Sequence, residues 1–312
     1  MAVTAKDVKA LREATGAGMM DCKKALAESD GDTEKAVEWL REQGLATAQK
    51  KAGRAAAEGT TAAVVSEDGK SAVMLEVNCE TDFCAGTDEF ISYAEALAKQ
   101  VLNNNYADFD AFLNAKSDFD PSVTVEEYNN VKVGDLHENI KIRRFEKITS
   151  DGLIASYIHA KGKVGVLVVS ETDASSDNAA VTEALKNVAM QVAAMKPQYN
   201  SDDEVPQDYK DGELAILREQ VKQDPANAKK PENILEKMVV GRLNKELKEI
   251  CLQDQEYVKA ENKENVAAYI AKVGKDNGVN LKVVKFVRFE TGEGLEKKQD
   301  NFAEEVAAQA NN

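Results

Sequence analysis

The chain has 312 residues, of which 43% are hydrophobic and 30% are charged. This length and balance are typical of a globular protein with two or three domains. Its 55 acidic and 40 basic residues leave a formal net charge of -15 at pH 7, so the molecule as a whole repels phosphate backbones and anionic lipid. We therefore expect no direct binding of nucleic acid and no membrane partner.

The apolar segments and the cysteines indicate the cellular compartment of the protein. Residues 164–169 form the longest apolar stretch, which is far short of the roughly 20 residues that a membrane-spanning helix needs. The first residues lack the charged and apolar regions of a signal peptide. Four cysteines are too few to staple a chain of this size, and they form no C-x-x-C pair: Cys22, Cys79, Cys84 and Cys251. We expect a cytoplasmic protein.

The N-terminal part has the pattern of a three-helix bundle. Residues 4–7 have the form of a capping box, which begins a helix. Two more short helices follow, of which the third begins after Asp32 and ends at Gly44. The basic residues 50–54 have no apolar stripe and indicate a linker. We therefore predict a first domain at residues 1–54.

The next part of the chain contains an internal repeat of a strand, a turn, a strand and a helix. At one constant offset Val73 falls on Val164, and the sequence Glu-Thr-Asp at 80–82 falls on the same three residue types at 171–173. Apolar positions of the two predicted helices also coincide. Because each copy combines strands with one apolar helix face, we predict a duplicated α+β core with antiparallel sheets.

The remaining domain boundaries follow from this repeat. The first core subdomain covers residues 55–139, and the second covers 140–199 and 263–312. Between the two parts of the second subdomain, residues 200–262 are polar with apolar residues at helical spacing, and they predict an inserted helical hairpin. A short helix is expected at residues 302–309, near the C-terminus. The predicted fold class is α+β.

Three segments carry a resemblance to a known family. Residues 15–26 read TGAGMMDCKKAL, residues 75–83 read LEVNCETDF, and residues 288–294 read RFETGEG. They resemble three signatures of the elongation factor Ts family, and together they span almost the whole chain. The resemblance implies a ubiquitin-associated-like fold for the three-helix domain. It also implies a guanine nucleotide exchange factor, rather than an enzyme, that takes part in translation elongation.

The resemblance further implies a partner and a set of contacts. The partner is elongation factor Tu, in its GDP-bound and nucleotide-free forms, and GDP release follows from disturbance of its magnesium and phosphate site. Four residues would act at that nucleotide site: Thr81, Asp82, Phe83 and Cys84. The three-helix domain would dock on the GTPase domain through three others: Arg12, Met19 and Met20.

The residues themselves leave two readings of the Asp-Phe pair. A phenylalanine after a strand is as commonly buried in a core as exposed. The second copy keeps 171–173 but has Ala174 where the first copy has Phe83, so the scaffold does not require a ring and Phe83 is spare for binding. An aspartate between a strand and a helix more often caps the helix than binds a ligand. Because the second copy has Asp173 there, we expect Asp82 mainly to shape the loop.

Further candidates for partner contact lie on either side of this pair. Neighbouring side chains on a helix point about 100 degrees apart, so we expect one of Met19 and Met20 to pack inside the bundle and the other to face a partner. His159 follows a strand and is expected at the surface, where the resemblance implies a contact. His137 and Asn139 are candidates in a loop where the family commonly has glycine in place of His137.

The sequence predicts neither a cofactor nor a metal. The separation of Cys79 from Cys84 matches no common zinc pattern, and the chain has only two histidines. Buried thiols are the expected state. The glycine patterns of a P-loop or a dinucleotide-binding turn do not occur, so we expect no bound nucleotide.

Two other function classes stay open at this stage. A ubiquitin-associated-like bundle on a linker is also a general peptide-binding module, which would suit an interaction adaptor or a chaperone. A redox or metal enzyme would use Cys79 and Cys84. Neither alternative accounts for the three matched segments. The sequence does not decide between a monomer, a homodimer and a 2:2 complex with the partner.

Overall fold

The computed structural model of the protein describes residues 3–15, 17–228 and 230–296. It has the predicted α+β class, with two three-stranded antiparallel sheets and helices packed around them. The helix expected at residues 302–309 lies outside the described residues. The prediction of a duplicated core is confirmed by the sheet topology given below.

The N-terminal part forms three helices, α1 (Ala5–Thr15), α2 (Met19–Glu28) and α3 (Thr33–Lys51). The predicted capping box begins α1, because Thr4 N donates to Asp7 Oδ2 at 3.0 Å and Asp7 N donates to Thr4 Oγ1 at 3.3 Å. The Asp32 side chain caps α3. The helices enclose a small apolar core: Val8, Leu11, Ala17, Cys22, Ala25, Leu26 and Ala36.

The first sheet has the strand order β1 (Glu58–Val65), β2 (Ser71–Cys79) and β3 (Lys141–Thr149). Four helices separate β2 from β3: α4 (Asp82–Ala85), α5 (Asp88–Asn103), α6 (Phe109–Leu113) and α7 (Val125–Leu136). The sequence placed residues 141–149 in the second core subdomain, but their pairing with β2 puts them in the first sheet. The division of the chain into domains otherwise stays a prediction.

The second sheet repeats this arrangement with β4 (Ile154–His159), β5 (Val164–Thr172) and β6 (Leu281–Glu290). Helix α8 (Ala179–Met195) packs on it as α5 packs on the first sheet. Helices α5 and α8 begin at Asp88 and Ala179, which are related by the same offset as Val73 and Val164. Each copy therefore has a hairpin, a covering helix and a later third strand.

The connection from α8 to β6 contains the predicted helical hairpin. It consists of α9 (Gln207–Gln223) and α10 (Glu232–Ile250), and α11 (Val266–Asp276) follows before β6. The two hairpin helices share an apolar seam: Leu217, Val221, Val239, Leu243 and Leu247. Arg218 and Glu236 form an ion pair across them at 2.6 Å. The hairpin prediction is confirmed.

The two sheets pack face to face, so each has a helix on one side and the other sheet on the opposite side. The shared apolar layer contains residues from both copies: Ala72, Met74, Ile148, Ile154, Leu167, Val169, Val287 and Phe289. Thr61 Oγ1 of β1 also donates to the Gly162 carbonyl at 2.9 Å. The central strands β2 and β5 are consequently buried on both faces, which explains their continuous apolar runs.

A buried carboxylate joins the first sheet to the residues that follow the second. Glu76 of β2 is fully buried, and its oxygens accept four hydrogen bonds: from Arg143 Nη1 at 2.9 Å, Arg144 Nε at 2.7 Å, Gly292 N at 2.8 Å and Asn78 Nδ2 at 3.1 Å. Burial alone would raise the pKa of Glu76, but these hydrogen bonds outweigh it and hold the pKa below its ordinary value.

The prediction that α3 ends at Gly44 is wrong, because the helix continues to Lys51. Gly44 lies where α3 crosses α7. A Cβ atom at Gly44 would be 3.1 Å from the Asn130 carbonyl oxygen, and one at Gly134 would be 3.2 Å from the Gly44 Cα. The glycine therefore allows two backbones to approach closely. Residues 50 and 51 of the predicted linker belong to this packed helix, and residues 52–54 form the turn that follows it.

We predict that Gly44→Leu destabilises the protein by about 1 to 3 kcal/mol, because the added side chain must push α3 away from α7. The control is Gly241→Leu in α10, where an added Cβ meets nothing within 4 Å and leucine favours the helix by about 0.5 to 1 kcal/mol. Urea unfolding of both variants measures the difference. Equal effects at the two positions would contradict the role of Gly44 in the crossing.

We predict that Glu76→Gln lowers the free energy of unfolding at pH 7 by about 3 to 5 kcal/mol, since it leaves two arginines without their buried counter-charge. The depressed pKa means that the carboxylate's contribution is complete above the ordinary value of 4.5 and is lost as pH falls through the lower folded value. Unfolding measured from pH 7 downwards should therefore show the two proteins converging below about pH 4.5. A gap that stays constant with pH would contradict this assignment.

Candidate functional site

Residues 81–84, here called the tip loop, follow β2 directly and include the start of α4. The Thr81 side chain caps this four-residue helix by accepting a hydrogen bond from Cys84 N at 3.2 Å. The alternative that Asp82 caps this helix is wrong, because the helix begins at Asp82 and Thr81 takes that role; that Asp82 shapes the loop stays a prediction. In the second copy, Asp173 accepts from Asn280 N, and Asn178 caps α8. The Asp82 side chain is exposed.

Phe83 lies at the tip of this loop with 86% of its surface exposed. The alternative that its ring belongs to the core is therefore wrong. The next two residues, Cys84 and Ala85, are buried in the core beneath α5. The exposed Phe83 ring is thus directly followed in the chain by two residues that anchor the loop in the core. Ala174, its counterpart in the second copy, packs partly buried against the second core.

The buried Cys84 of the tip loop lies close to a second thiol and a carboxylate. The ligand atoms of Cys79, Cys84 and Glu138 are all within 4.8 Å of one another. The Cys79 thiol donates to the Thr81 carbonyl at 3.2 Å, and a hydrogen bond with Cys84, together with burial, raises the pKa of Cys79. The prediction of buried thiols is confirmed. A thiol whose pKa is raised is a poorer nucleophile and a poorer metal ligand, because both roles need the thiolate.

The three residues predicted to dock on a GTPase lie on the N-terminal bundle. Met19 and Met20 are 59% and 71% exposed at the start of α2, so the expectation that one of them packs inside is wrong. Leu11, Cys22 and Leu26 fill that interior instead. Arg12 is exposed on α1. We call Arg12, Met19 and Met20 the docking patch.

The turn after α7 contains two further candidates with different surroundings. His137 is exposed and ends α7 in the left-handed conformation, with φ 55 and ψ 28. Glycine adopts this conformation without strain, which explains why a glycine is common there in the family that the sequence resembles. Asn139 is only 3% exposed, and its Nδ2 donates to the Arg54 carbonyl at 2.7 Å. That amide holds the chain after α3 and is not a surface contact.

His159 is exposed at the end of β4, as expected. Its ring Nδ1 lies 3.0 Å from the Tyr157 hydroxyl. The neighbouring Ile158 is also partly exposed. Successive side chains of a strand point to opposite faces, so His159 shares a face with Tyr157, and this surface of the second sheet is separate in sequence from the tip loop.

None of the helices in residues 3–15, 17–228 and 230–296 has the length and apolar content to cross a membrane. The candidate residues lie on three separate parts of the fold: the tip loop after the first sheet's β2, the docking patch on the three-helix bundle, and the end of β4 in the second sheet.

Comparison with known proteins identifies the family. Residues 80–293 match the family model described as "Elongation factor TS". The elongation factor Ts of Clostridium novyi (strain NT) is 49% identical over 310 residues, which cover 99% of both chains. Those of Clostridioides difficile (strain 630) and Nautilia profundicola are 48% and 47% identical, each over 98% of both chains. The chain belongs to the elongation factor Ts family.

We predict that His137→Gly stabilises the protein by about 0.5 to 1 kcal/mol, because glycine removes the strain of a positive φ at the end of α7. His137→Ala keeps a Cβ atom and should bring no such gain. Thermal unfolding of the two variants separates the backbone effect from loss of the imidazole. The assignment of strain fails if the alanine variant is stabilised as much as the glycine variant.

Proposed function

We propose that this protein is a guanine nucleotide exchange factor that binds elongation factor Tu and promotes GDP release during translation elongation. The single observation that carries the proposal beyond family membership is the exposed ring of Phe83 on a buried base. The protein would act in the cytoplasm by binding both the GDP-bound and the nucleotide-free partner. It would need no cofactor and would not be an enzyme in the usual sense.

The energetics require more than one contact surface. A GTPase that holds GDP with about nanomolar affinity has roughly 12 kcal/mol of binding free energy to be offset, whereas burying one phenylalanine contributes only about 1.5 to 3 kcal/mol. The exchange factor must therefore use several patches to favour the partner's empty state, and this coupling is reciprocal. A rigid scaffold with separated surfaces suits that task.

Each surface has a role in this proposal. The Phe83 ring wedges into the partner near its magnesium and phosphate groups, and the exposed Asp82 carboxylate adds an electrostatic effect there. Thr81 and Cys84 support the wedge from below, because one caps α4 and the other is buried. The docking patch binds the GTPase domain, and His159 is a further contact on the second sheet.

The net charge bears on the other classes of partner, and the assembly state needs a measurement of its own. The charge of -15 supports the expectation that neither nucleic acid nor a membrane is a direct partner. A homodimer or a 2:2 complex with elongation factor Tu stays open, and light scattering of the mixture would measure it.

An interaction adaptor or chaperone is the second candidate function. The observation that favours it is the pair of exposed methionines, since flexible methionine side chains suit varied peptide partners. Capture of many unfolded clients through the three-helix bundle, without acceleration of GDP release, would support this candidate over nucleotide exchange.

The experiment is release of labelled GDP from elongation factor Tu with the Phe83→Ala variant. Stability should change by less than about 1 kcal/mol, because the ring is exposed in the free protein. A central aromatic contact is typically worth about 2 to 4 kcal/mol, so the acceleration of release should fall by roughly 30-fold to several hundred-fold.

Ile216→Ala is the matched control, because Ile216 is an exposed apolar residue of the hairpin helix α9, outside the proposed surfaces. It should release GDP at the normal rate. Thermal melts run beside the kinetics exclude unfolding as the cause. Full activity of Phe83→Ala would show that Phe83 is not the wedge.

A further inference from the structure

Glu138 crosses from the end of α7 to hold the tip loop. Its Oε2 accepts hydrogen bonds from Glu80 N at 2.9 Å and Thr81 N at 3.0 Å, and its Oε1 accepts one from the Thr81 hydroxyl. In return, Glu80 Oε1 accepts from Asn139 N at 2.7 Å. Glu138 thus binds the backbone of residues 80 and 81, and Glu80 binds the backbone of Asn139, so the two side chains join distant parts of the chain.

The Thr81 hydroxyl passes this constraint on to α4. It has one proton, which it donates to Glu138, so a lone pair is left to accept the hydrogen bond from Cys84 N. A helix of four residues is too short to be stable by itself. The orientation of α4, and of Phe83 in its first turn, therefore depends on a cap that Glu138 orients.

Comparison of the two copies shows what the carboxylate replaces. In the second copy, Glu171 and Thr172 lie inside β5 and pair with Lys282 and Leu281 of β6. In the first copy, the pairing of β2 with β3 ends at Asn78 and Lys141, before the equivalent residues are reached. The Glu138 side chain binds the two backbone N–H groups at the point where the second copy has a third strand.

We propose that Glu138 is the positioning residue for the exchange reaction, because it lets the tip loop leave the sheet while keeping Phe83 in a fixed orientation. This inference rests on the proposed function. A strand at this place would tie the loop into the sheet, as it does in the second copy. A single carboxylate binds the N–H groups of both Glu80 and Thr81 and leaves the tip free to enter a partner.

The test is the dependence of GDP release on the concentration of the exchange factor, measured for Glu138→Ala. The maximal rate should fall by about 10-fold to 100-fold, because a displaced wedge is costly even when it is still present. The concentration for half-maximal rate should change by less than about two-fold, because the docking patch lies on another part of the molecule.

Two further variants make the test specific. Glu138→Gln keeps one acceptor oxygen, so its maximal rate should fall by only about three-fold to ten-fold, less than that of the alanine variant. In a Phe83→Ala background, Glu138→Ala should change the maximal rate by less than about two-fold, since a positioning residue has nothing left to position. Glu127→Ala is the control in α7, the helix that precedes Glu138, because Glu127 accepts from Thr124 N at the opposite end of that helix and should leave the maximal rate unchanged.

Amide hydrogen exchange in the free protein tests the hydrogen bonds from Glu80 N and Thr81 N to Glu138 without any partner. Glu80 and Thr81 should be protected in the unaltered protein and should exchange at least ten-fold faster in Glu138→Ala and Glu138→Gln. If the Glu138 variants lose protection but neither they nor the unaltered protein accelerates GDP release, the hydrogen bonds of Glu138 are supported and the proposed function is contradicted. Unchanged protection, a normal maximal rate, or a full additional loss in the Phe83→Ala background would overturn the positioning role.

Discussion

The buried Glu76 carboxylate is the interaction on which the arrangement of the two sheets depends. It lies in β2, and it binds two arginines from β3 and the backbone of Gly292 beyond β6. The Arg144 guanidinium also stacks 4.0 Å from the centre of the Phe289 ring. Because a buried charge is tolerated only with its partners in place, the two copies are held in one relative position. The surfaces that each copy presents consequently keep a fixed spacing.

Burial and packing explain which elements can be predicted from the sequence and which cannot. The repeat was visible because buried strands give apolar runs and Val73 and Val164 share them. The edge strand β3 was missed because Arg143 and Arg144 interrupt its apolar pattern in order to reach Glu76. Gly44 was misread because a glycine that permits helix crossing has the same letter as one that ends a helix. Only the packing partner distinguishes the two.

The candidate site divides along similar lines. Exposure of Phe83 could be predicted from its alanine counterpart in the second copy, and the structure places the ring at the surface. The contribution of Glu138 could not be predicted, because its partners Glu80 and Thr81 are remote in the chain and only the fold brings them together. His137 did carry a signal, since a family glycine at the end of a helix indicates a positive φ.

The continuous path of α3 has a mechanical consequence. The helix begins in the N-terminal bundle, crosses α7 at Gly44, and ends at Lys51, whose Nζ donates to the His137 carbonyl at 2.6 Å. The residue after His137 is Glu138, whose carboxylate accepts hydrogen bonds from the start of the loop that carries Phe83. One continuous helix and one hydrogen bond therefore link the N-terminal bundle to the segment that holds the tip loop, so the position of one constrains the position of the other.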